Sequence, residues 1–272
     1  MRSRLAEDIT QASRELLRAG RDQSLPVDPF KLAPLRRIQE VIREPSNRDG
    51  MLIPRRGGFV VRINSNASLS RQRYAMAHEL AHTFLYDISK DPPAPTQDLG
   101  GHWRLEGLCH LAAEEILVPE WATDRLIQQW SNPSIRSYLD LMDRFQVSAD
   151  VLGHRLRRLN AGRVVIIIWA KVPAKDGSPA LIPTVFRPKR LRRLGLQRIK
   201  APDSVRIART TRLPSLSEEE WLLKTGPVRL LSESCPLDHG DSRFLTLVYA
   251  ELSEDERLAL KGRHGEQLSL IP

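Results

Sequence analysis

The pentad His78-Glu-Leu-Ala-His82 has the residue types and the spacing for metal-assisted hydrolysis. On a helix, residues four apart stack on one face, so both imidazoles can approach a single ion. Zinc takes histidine nitrogens at about 2.0–2.1 Å, and a catalytic site needs a third protein ligand and an open position. Glu79 lies one position round the helix. A carboxylate there can take a proton from water without binding the metal. With seven His in 272 residues, chance would produce the pattern in roughly one such chain in a hundred, so the surroundings must decide.

Those surroundings are two helical segments. Ala77, Leu80, Ala81, Phe84 and Leu85 form an apolar stripe at helical spacing, which predicts a helix over 68–86 with Ser68 or Ser70 as its N-cap. A second segment, 104–118, carries the carboxylates of Glu106, Glu114 and Glu115 and is the expected source of the third ligand. It runs Glu106-Gly-Leu-Cys-His-Leu-Ala-Ala-Glu-Glu-Ile-Leu-Val-Pro119.

That block resembles the second signature of the ImmA/IrrE family of zinc metallopeptidases. Leu52-Ile-Pro54, the stretch Gly57 to Asn64, and Arg71, Arg73 and Tyr74 ahead of the pentad are similar to that family too. The resemblance covers about residues 25–160. It implies that His78, His82 and Glu106 hold Zn2+ and that Glu79 is the catalytic base. It also implies a fold class. This is α+β: a mainly helical, zincin-like metallopeptidase domain with a small sheet, a helix-turn-helix-like segment, and then a GAF-like antiparallel-sheet sensor domain. The expected boundaries are 1–132, 133–160 and 161–272. One position departs from the family, which usually has Asn or Asp where this chain has His110. A group there orients a ligand histidine from behind, and His110 can do that or bind metal itself.

Cys109 lies three positions after Glu106, on the same helix face. As a thiolate it would be a fourth ligand that closes the site and holds it latent; as a thiol it would be a small core residue. The donor that steadies a developing oxyanion is not marked by any motif; His110, Tyr138 and His154 are the candidates.

Two cysteines, Cys109 and Cys235, give no disulfide framework and fit a reducing cytoplasm. The longest apolar run, 164–170, is far too short to span a bilayer, and the charged N-terminal segment has no apolar core of a secretion signal. Local patterns predict a helix over 3–19, a second over Asp28 to Ile42 with Pro29 in its first turn, and strands near 51–54 and 58–63. Residues 87–101 read as a Pro/Gly-rich loop beside the cleft. Further helices are expected over 119–130 and 133–145. The strand from Gly58 to Ile63 is the candidate edge on which an extended peptide would add as a further strand.

Residues 139–159 have the rhythm of a helix-turn-helix, with Ser148 as N-cap and a basic second helix; the same pattern serves as a packing element. Beyond 161, strands are expected over 163–172, 181–186, 204–208 and 244–250, with a helix over 218–224. Residues 151–212 hold 16 Lys and Arg against two Asp and Glu, whereas the rest of the chain is net acidic. Arg187, Lys189, Arg190, Arg192, Arg193, Arg198, Lys200, Arg206, Arg209 and Arg212 are therefore candidate contacts to a polyanion, with single-stranded DNA favoured. Phe186 and Trp169 are the aromatics available for stacking on bases.

The family resemblance implies a regulated, site-specific endopeptidase. Its substrate would be a helix-turn-helix (XRE-like) repressor, cut so as to derepress an operon for DNA-damage response, mobile-element control or anti-phage defence. The contrasting expectation is a DNA-binding transcriptional regulator whose zinc site is structural or inert.

Overall fold

Buried apolar residues between Gly58 and Asn64 build the central strand of a small sheet, and the elements that position the pentad are arranged around it. A computed structural model describes residues 2–21, 24–96, 102–123, 133–160, 163–173, 179–189, 191, 205, 214–223, 226–237, 242–250 and 252–269. The chain divides into two units, residues 1–125 with 141–155, and residues 126–140 with 156–272.

The first unit runs α1 (Arg2–Ala19), α2 (Pro29–Leu32) continuing as a 3-10 turn (Ala33–Arg36), β1 (Ile38–Glu44), β2 (Gly50–Arg55) and β3 (Gly58–Asn64). Then come α3 (Leu69–His82), a 3-10 turn (Thr83–Leu85), β4 (Tyr86–Asp87), β5 (Ala94–Pro95) and α4 (His102–Leu117). β3 pairs in parallel with β1 and antiparallel with β2. The expectation that β3 is an edge strand is therefore wrong: both of its sides are hydrogen-bonded, and β2 is an edge instead. Phe59, Val61 and Ile63, which share one face of the strand, are fully buried, and Val60 on the other face is buried too.

The helix expected over Asp28 to Ile42 is cut short. Asp28 does cap it, accepting from the Phe30 N–H at 3.0 Å. Arg37 then turns the chain at φ 57°, and Ile38 begins β1. Pairing with β3 decides the matter, because Ile38, Val41 and Ile42 are β-branched and pack well on a pleated surface. Helix α4 packs against α1 and α3 through Ile9, Ala81, Leu85, Cys109 and Ala112. The small residues among these let the helices approach closely.

Helix α5 (Ile135–Phe145) and helix α6 (Ala149–Leu159) form the expected helix-turn-helix rhythm. Gln146 turns in the left-handed region at φ 50°, and Ser148 Oγ accepts from the Val151 N–H at 3.4 Å. The first basic residue of α6 faces inward, however. Arg155 is 4% exposed; its Nη2 lies 2.8 Å from Glu115 Oε2 and its Nε donates to Val118 O at 2.8 Å. Arg14 Nε reaches the same carboxylate at 3.3 Å. Arg155 is thus bound to the end of α4 and is not available to read a duplex.

The second unit contains β6 (Val164–Pro173), β7 (Pro179–Phe186), β8 (Ser215–Leu223), β9 (Gly226–Pro236), β10 (Arg243–Tyr249) and α7 (Glu254–Ser269). The strands form one antiparallel sheet in the order β7-β6-β10-β9-β8. Val165, Ile167, Trp169, Trp221, Leu230, Phe244 and Val248 make the core on one face. The indole of Trp169 donates to Thr246 Oγ1 at 2.8 Å, and that of Trp221 to Ser232 Oγ at 3.1 Å, so the polar atoms buried there are satisfied. On the other face buried Glu233 accepts from the Tyr249 hydroxyl at 2.8 Å and from the N–H of Ile135, the first residue of α5, at 3.0 Å.

The strands expected over 163–172, 181–186 and 244–250 correspond to β6, β7 and β10. The helix expected over 218–224 is instead the edge strand β8. Its Glu and Leu residues favour a helix locally, but pairing with β9 along its whole length overrides that weak preference. The strand expected over 204–208 lies outside the described residues apart from Val205, and so does the helix over 119–130 beyond residue 123. Among the described residues no helix is long and apolar enough to cross a membrane.

Candidate active site

Helix α3 delivers the pentad, α4 delivers Glu106, and β2 closes the third side. The result is a cleft of about 420 Å³ whose walls include Gly50, Met51 and Leu52 of β2, Tyr74, His78, Glu79 and His82 of α3, Tyr86, and Glu106 and His110 of α4. The N-cap expected of Ser68 is only positional, since its side chain makes no capping hydrogen bond. At the other end Arg36 holds α3 where it tightens into the 3-10 turn. It donates to Thr83 Oγ1 at 2.9 Å and to Thr83 O at 2.8 Å, and its guanidinium lies over the Phe84 ring.

Three side chains face one another. His78 Nε2 is 3.0 Å from Glu106 Oε2 and 3.1 Å from His82 Nε2, and His82 Nε2 is 3.6 Å from Glu106 Oε1. Ligands at zinc distances in a tetrahedron stand about 3.3 Å apart. The three spacings bracket that edge, and two imidazole nitrogens with one carboxylate form a donor set that zinc accepts. Burial, together with His82 and His110, pushes the His78 imidazole down to about 4, so it is the neutral form that faces the cleft. A neutral imidazole is the form that binds metal.

Glu79 is set apart from this trio and aimed by β2. It is buried, with 6% exposure, and the backbone of Leu52 donates a hydrogen bond to its carboxylate. Burial first, and then the Glu106 charge, raise it to about 7. That is the range in which a carboxylate both accepts and releases a proton near neutral pH. Gly50 makes the approach possible, because a Cβ there would stand 2.7 Å from Glu79 Oε1.

His110 also reaches the site. A ring nitrogen of it lies within 4.8 Å of the facing atoms of His78 and Glu106. Its Nδ1 is 2.6 Å from the Tyr74 hydroxyl oxygen, and its ring stacks on Tyr74 at 16°. Cys109 points elsewhere: it is fully buried in the apolar cluster with Ile9, Ala81, Leu85 and Ala112. Burial, then the Glu106 and Glu79 charges, push its thiol well above the ordinary range. Glu114 and Glu115 are buried as well, and Glu115 is committed to Arg155. Of the other donor candidates, Tyr138 is buried in the second unit and His154 is half-buried on α6. Tyr74, Gly50 and Leu52 escaped the sequence reading of the chemistry. Tyr74 had a usable signal, standing four residues before His78 on the same helix face. Leu52 stood in a family-like stretch with no chemical role attached, and Gly50 had no signal, since another element brings both in.

The basic segment is placed only in part. Arg187 is half-buried, and Lys189 is exposed with its backbone N–H on Asn160 Oδ1 at 2.6 Å. Arg190, Arg192, Arg193, Arg198, Lys200, Arg206, Arg209 and Arg212 lie outside the described residues. Trp169 and Phe186 are 0% and 1% exposed, so neither offers a face for stacking on bases.

Residues 43–157 match the sequence model of the IrrE N-terminal-like domain. Over 105 residues the chain is 33% identical to the radiation response metalloprotease IrrE of Deinococcus radiodurans, covering 38% of this chain and 31% of that protein. It is 29% identical over 132 residues to IrrE of Deinococcus deserti, covering 47% of this chain and 46% of that protein. The matches thus span less than half the length of these relatives. A solved structure described as a Mycobacterium tuberculosis transcriptional regulator shares the fold, with a TM-score of 0.54 over 89% of this chain and 76% of that one, at 18% identity. The segment that carries His78, Glu79, His82 and Glu106 is therefore similar to the IrrE N-terminal-like domain and to the metalloproteases that carry it.

Proposed function

We propose that the chain is a zinc-dependent, site-specific endopeptidase of the cytoplasm that cuts a helix-turn-helix repressor. The observation that carries the reading is Glu79, a buried carboxylate raised to about 7 beside His78, His82 and Glu106. A structural zinc site has no use for a base at that position. His78, His82 and Glu106 would hold the ion, which when bound supplies Lewis acidity, acidifying water and polarising a carbonyl. Glu79 takes the proton from the attacking water, held for that by the Leu52 N–H, and passes it to the departing amide nitrogen. β2 is the edge that would receive the substrate, because an extended peptide laid antiparallel or parallel to it satisfies both backbones. Cys109 serves as core packing in this reading.

The basic segment of the second unit would receive the trigger, with single-stranded DNA bound chiefly through its phosphates. The GAF-like assignment of that unit is supported by its single five-stranded antiparallel sheet. Release of a repressed operon in DNA-damage response or anti-phage defence would follow from the cut. Zinc-loaded chain is incubated with candidate helix-turn-helix repressors from the same organism, with and without a single-stranded oligonucleotide. One defined cut, accelerated by the oligonucleotide and abolished by Glu79→Gln with zinc content retained, is expected. Equal behaviour of wild type and Glu79→Gln would favour a DNA-binding regulator with an inert zinc site.

A further inference from the structure

Tyr74 and His110 form a pair that the roles assigned so far leave unused. Both line the cleft, one from α3 and one from α4. We infer that His110 is a hydrogen-bond donor to the oxygen of the scissile carbonyl, not a metal ligand, and that Tyr74 is the positioning residue that makes it so. The inference rests on the peptidase reading above and assigns a further group to that reaction.

The Tyr74 oxygen stands 2.6 Å from His110 Nδ1, a hydrogen bond whose direction goes with the imidazole tautomer. A phenol is a better donor than acceptor toward an imidazole lone pair. The Tyr74 O–H therefore donates to Nδ1. In a neutral imidazole the proton then sits on Nε2, because the partner of one ring nitrogen dictates the state of the other. An Nε2–H has no lone pair to give a metal. It has a hydrogen to give an oxygen.

Place and orientation agree with that use. The His110 ring centroid is 4.7 Å from that of His78 and tilted by 43°, and the stacked Tyr74 ring, 6.1 Å away, fixes its plane. His110 is exposed to the cleft, whereas Ala112 and Ala113 of the same helix are buried. As the water oxygen bonds to the carbonyl carbon, the π pair of the carbonyl moves onto its oxygen. The Nε2–H donates to that oxygen without giving up its proton, and the pair returns when the C–N bond breaks.

The test uses the full chain, with histidines labelled with nitrogen-15, free of metal and loaded with zinc. Wild type should show His110 protonated on Nε2 in both states, and Tyr74→Phe should show a mixture of tautomers. His110→Ala should leave zinc affinity within about twofold and, on the repressor cut above, lower kcat by about 100- to 1000-fold with little change in KM, as loss of an oxyanion donor does. His110→Gln, whose Nε2 carries an N–H at a similar reach, should recover at least part of that loss. An Nδ1–H tautomer, a zinc affinity falling about 10- to 100-fold in His110→Ala, or an unchanged kcat would each overturn the assignment. Failure of wild type to cut any repressor would refute the peptidase reading itself. An Nε2–H tautomer with normal cleavage by His110→Ala would sink the donor role alone.

Discussion

Replacing Glu79 by Gln should stabilise the metal-free chain in a pH-dependent way. Gln keeps the shape and the carbonyl that accepts from Leu52, and removes only the ionisation. In the fold the carboxyl is raised from 4.5 to about 7, by burial and by Glu106. Between those values the unfolded chain has shed the proton while the folded chain still holds it. The unfolded state binds fewer protons, so wild-type stability falls as pH rises through the window and levels off above the folded value. At about 1.4 kcal/mol per pH unit, the ionisation costs wild type about 1 kcal/mol at pH 5 and about 3 kcal/mol at pH 8. Glu79→Gln escapes both. Urea unfolding of the two chains in the presence of a chelator, at pH 5, 6.5 and 8, reads the difference directly. Parallel pH profiles would refute the reasoning, because they would mean that Glu79 ionises in the fold as readily as in the unfolded chain. Such a carboxylate would lack the raised affinity for protons on which its role as a base depends.

Three further outcomes follow from other parts of the molecule. Gly50→Ala should cut repressor cleavage by about 100-fold with zinc content unchanged, because its Cβ would press on Glu79 from 2.7 Å and move the base by part of an ångström; kcat with bound-metal analysis checks this. Arg155→Met should destabilise the first unit by about 3–5 kcal/mol in urea, since Glu115 is left buried without its main partner, and adding Glu115→Leu should recover most of that loss. For a bound single-stranded oligonucleotide, replacing Arg190, Arg192 and Arg193 by Gln should lower the slope of log affinity against log salt by about 2, at about 0.7 for each phosphate no longer neutralised; a slope that does not move would place the DNA on other residues.

The chemistry of the site was legible where one helix carried it. His78 and His82 share a face by helical period alone, and the apolar stripe beside them announces the helix. Glu106 needed the family resemblance, because two further carboxylates in the same segment fit the spacing as well. The structure separates them: Glu106 faces the histidines, while Glu115 is held by Arg155. In the same way Arg155 reads as a basic residue of a DNA-facing helix until its burial is known.

What the sequence determined by itself is what depends on neighbours along the chain: the pentad's helix, the strands β6 and β10 with their β-branched and aromatic residues, the cap at Ser148, and the charge imbalance after residue 150. Only the tertiary structure decided what depends on partners across space. β3 became a central strand because β1 pairs on its free side. Residues 218–223 became a strand because β9 lies beside them. Glu79 is raised because β2, 27 to 29 positions earlier, covers it with Gly50 and Leu52. Periodicity is a local property of the chain, whereas burial, pairing and the field at a carboxylate are sums over residues that only folding brings together.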